Sequence, residues 1–154
     1  MFGLFEKKKL EVLAPCKGEV ISLKDVDDEV FSKKMAGEGV AITPKDSIIC
    51  SPIDGVITKI FPTNHAFVIN NKGVEVIVHI GLDTVTLAGE GFHRLASEEQ
   101  SVKAGDPIIE VDFELLRAKG IDATTPVVIS SGQKVVNEFM GDVEDNGVIM
   151  EVSI

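Results

Sequence analysis

The chain has 154 residues, 44% of them hydrophobic and 26% charged. That length buries about two-thirds of the unfolded surface in one domain, is too short for two substantial ones, and holds no apolar run near the roughly 20 residues of a membrane-spanning helix. Twenty-five acidic against fifteen basic side chains give a net charge of −10, which opposes binding to nucleic acid and favours partners with basic surfaces.

The N-terminal MFGLFEKKKL lacks a long apolar segment ending in a small-residue cleavage site, so a cytoplasmic protein is expected. Residues 1–9 read as a flexible tail at the edge of a single domain spanning 1–154. The alternative is a short surface tether built from Phe2, Leu4 and Phe5 ahead of Lys7 to Lys9. β-rich runs then recur at Glu19 to Leu23, Gly39 to Thr43, Gly55 to Phe61, Ala66 to Asn70, Val74 to Ile80, Pro107 to Val111, Pro126 to Ser130 and Val148 to Ser153. Gly, Pro, Asn and Asp punctuate them at intervals of about ten residues, the pattern of an all-β sandwich or barrel.

Ala14-Pro-Cys-Lys-Gly18 with its following strand resembles Ser51-Pro-Ile-Asp-Gly55 with its own, which points to two related β units packed face to face. Helical signals are confined to one or two short turns. Asp112 can cap FELLRAK, with Gly120 as the left-handed stop, and Phe92 to Glu99 is expected to form another turn. Cys16 and Cys50 have no CxxC spacing and read as free thiols.

In Glu75-Val-Ile-Val-His-Ile80 the side chains alternate, so Val74, Val76, Val78 and Ile80 form a core face and Glu75, Ile77 and His79 the opposite one. A second histidine, His65, precedes the neighbouring strand. A turn over Asn70 to Gly73 centred on Lys72 sets His65 opposite His79, with Cβ atoms about 5 Å apart, whereas a slip of one residue puts the rings on opposite faces. Two such imidazoles can bind a metal, do acid/base chemistry, or carry a phosphoryl group on one ring while the other assists; they can also be unrelated strand residues. A catalytic zinc needs three protein ligands, and the remaining histidine, His93, lies beyond a glycine-rich turn, so a third ligand would have to be a distant carboxylate.

Gly73-Val-Glu-Val-Ile-Val-His-Ile-Gly-Leu-Asp-Thr-Val85 resembles the phosphorylation-site signature of the glucose-type enzyme IIA domains of the bacterial phosphoenolpyruvate-dependent sugar phosphotransferase system. The resemblance extends in order through Ala14-Pro-Cys-Lys-Gly18, Ser51-Pro-Ile-Asp-Gly55, Pro62-Thr-Asn-His-Ala-Phe67, Gly89-Glu-Gly91, Val102-Lys-Ala-Gly-Asp-Pro107 and Thr125-Pro-Val-Val-Ile129. It implies an antiparallel β-sandwich, a barrel-sandwich hybrid.

The resemblance further implies that His79 accepts a phosphoryl group on Nε2 from the phosphocarrier HPr and passes it to a cysteine of the IIB domain of a membrane sugar permease, so that membrane contact is indirect. It casts His65 as the group that stabilises the phosphoryl, Thr63 as orienting His65, and the Gly81 carbonyl as orienting His79. Val30, Phe31, Phe61, Ile77 and Val85 match an apolar partner-binding patch, with Asp28 and Asp83 as negative charges around it. No cofactor or metal is required, although His65 and His79 can hold an adventitious or regulatory zinc. A zinc metallopeptidase-like protein and a purely regulatory binding module on the same sandwich are the alternatives.

Overall fold

The computed structural model of the protein describes residues 8–154. Among these the chain forms β1 (Lys9–Leu13), β2 (Gly18–Ser22), α1 (Glu29–Ser32), β3 (Glu38–Pro44), β4 (Ile48–Cys50), β5 (Gly55–Ile60), β6 (Ala66–Asn71) and β7 (Val74–His79). It continues with β8 (Phe92–Arg94), β9 (Ser101–Val102), β10 (Pro107–Val111), α2 (Phe113–Ala118), β11 (Thr125–Ile129), β12 (Val135–Glu138), β13 (Gly141–Val143) and β14 (Val148–Ser153).

Both helices are short and start on a side-chain cap. Asp28 accepts from the Val30 amide (2.9 Å) and Asp112 from the Leu115 amide (3.1 Å), and α2 runs out into Gly120 at φ +69°. The turn expected over Phe92 to Glu99 is not helical. Phe92 enters the core and β8 pairs with β10, so a ladder meets backbone needs that an isolated helical turn, costly to nucleate, could not. Phe2, Leu4 and Phe5 of the expected tail lie outside the described residues. The ladder already includes Lys9, opposite Ser153, and the Lys8 carbonyl accepts from Ile154 (3.0 Å), because β14 offers β1 an edge to pair with.

Every strand pairing is antiparallel. An open eight-stranded sheet in the order β13-β2-β3-β11-β7-β6-β5-β9 faces two three-stranded sheets, β1-β14-β12 and β4-β10-β8, and the expected sandwich is found, with no closed barrel among the described residues. Ile42, Phe67, Val76, Val78 and Val127 of the large sheet, and Ile80 just after β7, pack in one core with Ile49, Ile109, Ile149 and Val152 of the small ones. Burying each such side chain contributes about 1.5–3 kcal/mol.

The two related units seen in the sequence are joined by exchanged hydrogen bonds. Leu13 N donates to Pro52 O (2.8 Å) and Cys50 N donates to Pro15 O (2.7 Å). The ladders repeat the exchange: Val12↔Met150 matches Ile49↔Ile109, and Gly18↔Val143 matches Gly55↔Val102. This internal two-fold relation runs through the middle of the large sheet, where Val127 faces Val78. Gly39↔Val128 on one side therefore corresponds to Ala66↔His79 on the other.

At Gly39 a Cβ would overlap the Val127 carbonyl in the β3–β11 ladder, next to the middle of the sheet. Gly39→Ala is expected to lower the unfolding free energy in urea by about 3 kcal/mol, whereas Val56→Ala, at a solvent-exposed side chain, changes it by less than about 1 kcal/mol.

Candidate functional site

The alternation expected for β7 is found. Val74, Val76 and Val78 are buried in the main core, and Glu75, Ile77 and His79 are only half-buried on the other face. That outer face is not bare. The segment from Leu23 to Ala36, including α1, folds across it and builds a second small core from Leu23, Val26, Phe31, Ala41, Leu82 and Val128, against which Ile77 packs. Phe31 is 7% exposed, with its ring centroid 5.0 Å from that of His79. It is thus a wall beside the imidazole more than an open docking residue.

The register of the β6–β7 hairpin differs by one residue from a turn centred on Lys72. Ala66 stands opposite His79, and the His65 carbonyl accepts from Ile80 N (2.7 Å). Strict alternation would then send the two rings to opposite faces. They meet nonetheless, with centroids 4.9 Å apart and planes at 78°. His65 lies just before β6 and just after Asn64, whose φ of +60° turns the chain, so the pleat does not dictate its direction.

The turn carrying His65 is tied by Asn64 N to Phe61 O (2.7 Å) and Phe61 N to Ala66 O (2.9 Å). Thr63 Oγ1 is hydrogen-bonded to His65 Nδ1, and the Phe61 ring meets the imidazole edge-on at 5.5 Å. Lys59 Nζ lies over the Phe61 ring, 4.7 Å from its centroid.

His79 Nδ1 donates to the Gly81 carbonyl at 2.8 Å, which leaves the Nε2 lone pair free on the neutral ring. Gly81 sits at φ +74°, and a Cβ there would lie 2.6 Å from Thr84 Cγ2. The loop around it is pinned by Thr84 Oγ1 to Ile80 O (2.6 Å) and Leu82 N to Asp122 O (2.9 Å). Asp83 is exposed and left-handed (φ +57°) at the start of a 3-10 turn over Thr84–Leu87. Val30 and Val85 are exposed, at 47% and 56%, whereas Phe61, Ile77 and Asp28 are half-buried.

His93 is exposed on β8 opposite Glu110 and has no part in the pair. Burial raises the Cys16 and Cys50 thiols to about 12 and about 11, so neither is a thiolate at neutral pH. Among the described residues no group of three or more His, Cys, Asp or Glu side chains is placed to hold a metal, so the two imidazoles supply fewer than the three ligands of a catalytic zinc. Arg94, to which the sequence reading assigned nothing, donates from Nε to Asn64 Oδ1 at 2.6 Å. Its segment was expected to be helical, which hid the contact.

The family model for the phosphoenolpyruvate-dependent sugar phosphotransferase system, EIIA 1, matches residues 10–135. The glucose-specific EIIA component of Haemophilus influenzae is 51% identical over 138 residues, which are 88% of this chain and 83% of that protein. The N-acetylglucosamine-specific EIICBA component of Escherichia coli is 46% identical over 132 residues, 85% of this chain but 20% of that longer protein. The glucose permease IIA from Mycoplasma capricolum superposes with a TM-score of 0.89 at 39% identity, over 94% of this chain and 96% of that one.

Burial sets the charge state of both rings. Loss of solvent, with the neighbouring His79 ring acting in the same direction, lowers His65 to about 4. Burial also holds His79 below the ordinary 6.5, against the opposing pull of the Gly81 hydrogen bond and the Asp28 and Asp83 carboxylates. Both are therefore neutral at pH 7. Below 6.5 the unfolded chain binds protons that the folded one refuses, so stability is full above 6.5 and falls as pH drops towards 4. His65→Gln is expected to flatten that part of the urea-denaturation pH profile, and ring NMR signals of the native protein should show His65 titrating near pH 4.

Proposed function

The chain belongs to the EIIA 1 family of the phosphoenolpyruvate-dependent sugar phosphotransferase system, and from that membership we propose that it is a cytoplasmic, single-domain phosphohistidine carrier. It takes a phosphoryl group from phospho-HPr onto His79 Nε2 and hands it to the cysteine of a IIB domain. The observation that carries this reading is the pair itself: a neutral imidazole fixed through Nδ1 to the Gly81 carbonyl, with a second ring at 4.9 Å.

In the first transfer the Nε2 lone pair attacks phosphorus as the bond from phosphorus to the donor nitrogen of HPr breaks, and the donor imidazole leaves with the electron pair. His79 keeps its Nδ1 proton on the Gly81 carbonyl throughout and becomes a cationic ring bearing a dianionic phosphoryl. In the second, the IIB thiolate attacks phosphorus and His79 leaves as a neutral imidazole. When the Thr63 hydroxyl donates to His65 Nδ1, the His65 proton resides on Nε2, from where it can hydrogen-bond the phosphoryl oxygens in both states. The buried setting strengthens that bond and keeps the acceptor nitrogen unprotonated.

Val30, Ile77, Val85 and Phe61 give partners an apolar surface beside the pair, and Asp28 and Asp83 add negative charge suited to a basic donor. The E. coli relative is named EIICBA, and an A part fused with B and C parts supports a IIB domain as the next acceptor. Relatives named for glucose and for N-acetylglucosamine both match well, which supports leaving the choice of sugar to the membrane permease.

With phosphoenolpyruvate, enzyme I and HPr, the chain is expected to take up one acid-labile, alkali-stable phosphate. His79→Gln should abolish labelling. His65→Gln should still be labelled but pass the group to IIB about 100-fold more slowly, the scale of losing one donor to a transition-state oxyanion. Normal labelling of the His79 variant overturns the reading. Val85→Glu, an exposed change on the rim, should raise the KM for phospho-HPr at least about tenfold with kcat largely kept.

A further inference from the structure

The outer edge of β5 is paired in an unusual way where it approaches His65. Up to Ile57 its partner is backbone: Val56 pairs with Ser101, Ile57 N donates to Gln100 O (3.0 Å) and Glu99 N donates to Ile57 O (2.6 Å). A bulge between Ile57 and Lys59 then breaks the register of β5 with β6, and the backbone ladder on the outer side stops. Beyond it the Ile60 amide donates to Glu98 Oε2 (2.9 Å), and Arg94 Nη2 approaches the carbonyls of Ile60 (3.4 Å) and Phe61 (3.5 Å). Side chains from the 94–98 segment thus replace a strand.

The Arg94 guanidinium reaches three residues further, to the Asn64 side chain at 2.6 Å. Its three acceptors are all neutral oxygens of the Ile60–Asn64 stretch, and no carboxylate among the described residues forms an ion pair with it. A planar fork of donors matches such a set of oxygens, and a lysine, with one compact ammonium, does not. What the fork grips is the left-handed Asn64, flanked by Thr63 and His65. In this position a change at residue 64 rotates both partners of the Thr63–His65 hydrogen bond.

We propose that Arg94 is a positioning residue of the phosphoryl relay: by clamping Ile60 O, Phe61 O and the Asn64 side chain it sets the turn that points Thr63 at His65 Nδ1 and the His65 ring at His79. The proposal rests on the carrier reading above for its functional consequence, and on geometry alone for its effect on His65. Releasing the clamp frees the Asn64 turn, lets His65 sample both tautomers, and admits water to a ring that burial now holds neutral.

The test compares Arg94→Ala, Arg94→Lys, Asn64→Gly and the Arg94→Ala/Asn64→Gly double variant with the native chain. In ¹⁵N spectra of the imidazoles, native His65 should show a single tautomer protonated on Nε2. Arg94→Ala should show mixed tautomers and a titration moved up from about 4 towards the ordinary 6.5. Labelling of His79 should still reach one phosphate, with transfer to IIB slowed about tenfold. Lysine should restore less than half of that loss, and the double variant should be no slower than Arg94→Ala, since glycine keeps the left-handed turn but removes the acceptor.

Native-like His65 spectra with full transfer in Arg94→Ala overturn the proposal, as do additive losses in the double variant. Should Arg94→Ala not fold, the lysine and Asn64→Gly variants decide by the same spectra. A native chain that takes no phosphate refutes the carrier reading, while the His65 tautomer still decides the role of Arg94.

Discussion

The hydrogen bond from His79 Nδ1 to the Gly81 carbonyl spans only two residues, yet much of the surrounding structure exists to make it possible. The chain must leave β7 and reverse so sharply that the carbonyl points back at the ring, and this requires φ +74° at a position where Thr84 leaves no room for a side chain. Thr84 is itself buried and bonded to Ile80, and Leu82 is anchored on Asp122 from the segment leading into β11. The tautomer of one imidazole is thereby made a property of the loop rather than a choice left to solvent.

Around that bond the sheet is nearly two-fold symmetric, and the site arises where the symmetry is broken. His79 corresponds to Val128, and the two lie on the same face of the central strands. His65, whose carbonyl meets Ile80, corresponds to Glu38, which pairs with Ile129. On the Val128 side the outer face is filled with aliphatic side chains. On the His79 side Phe31 closes one wall of the imidazole, which stays half-buried. The same cover that stabilises the outer face also desolvates the imidazoles, so packing and chemistry share one cause: removal of water keeps both rings neutral near pH 7.

His65 is held by weaker and more distributed means than His79. Its turn carries a left-handed asparagine, a hydroxyl contact and an aromatic edge; Arg94 of β8 braces it, and Glu98 in the loop after β8 holds the end of β5 that leads into it. Such an arrangement ties the spacing of the two rings to the docking of β8 and its following loop onto β5.

The sequence by itself determined what depends on neighbours along the chain. The alternation of Val74, Val76 and Val78 with Ile77 and His79 sorted core from rim. Asp112 and Gly120 bounded α2, the paired Pro-and-Gly segments announced the internal repeat, and the ordered motifs identified the family. Only the tertiary structure decided the rest. Whether Phe92 to Arg94 was a helical turn or a strand depended on β10 lying beside it, because three residues carry too little periodicity to choose. The Ala66–His79 register followed from ladder and turn geometry, and the two rings met because His65 lies outside the pleat, after a left-handed Asn64. The Phe31 wall and the Arg94 clamp join residues about 30 to 50 positions apart, and no local pattern records such contacts, since their distances are set by how whole strands pack.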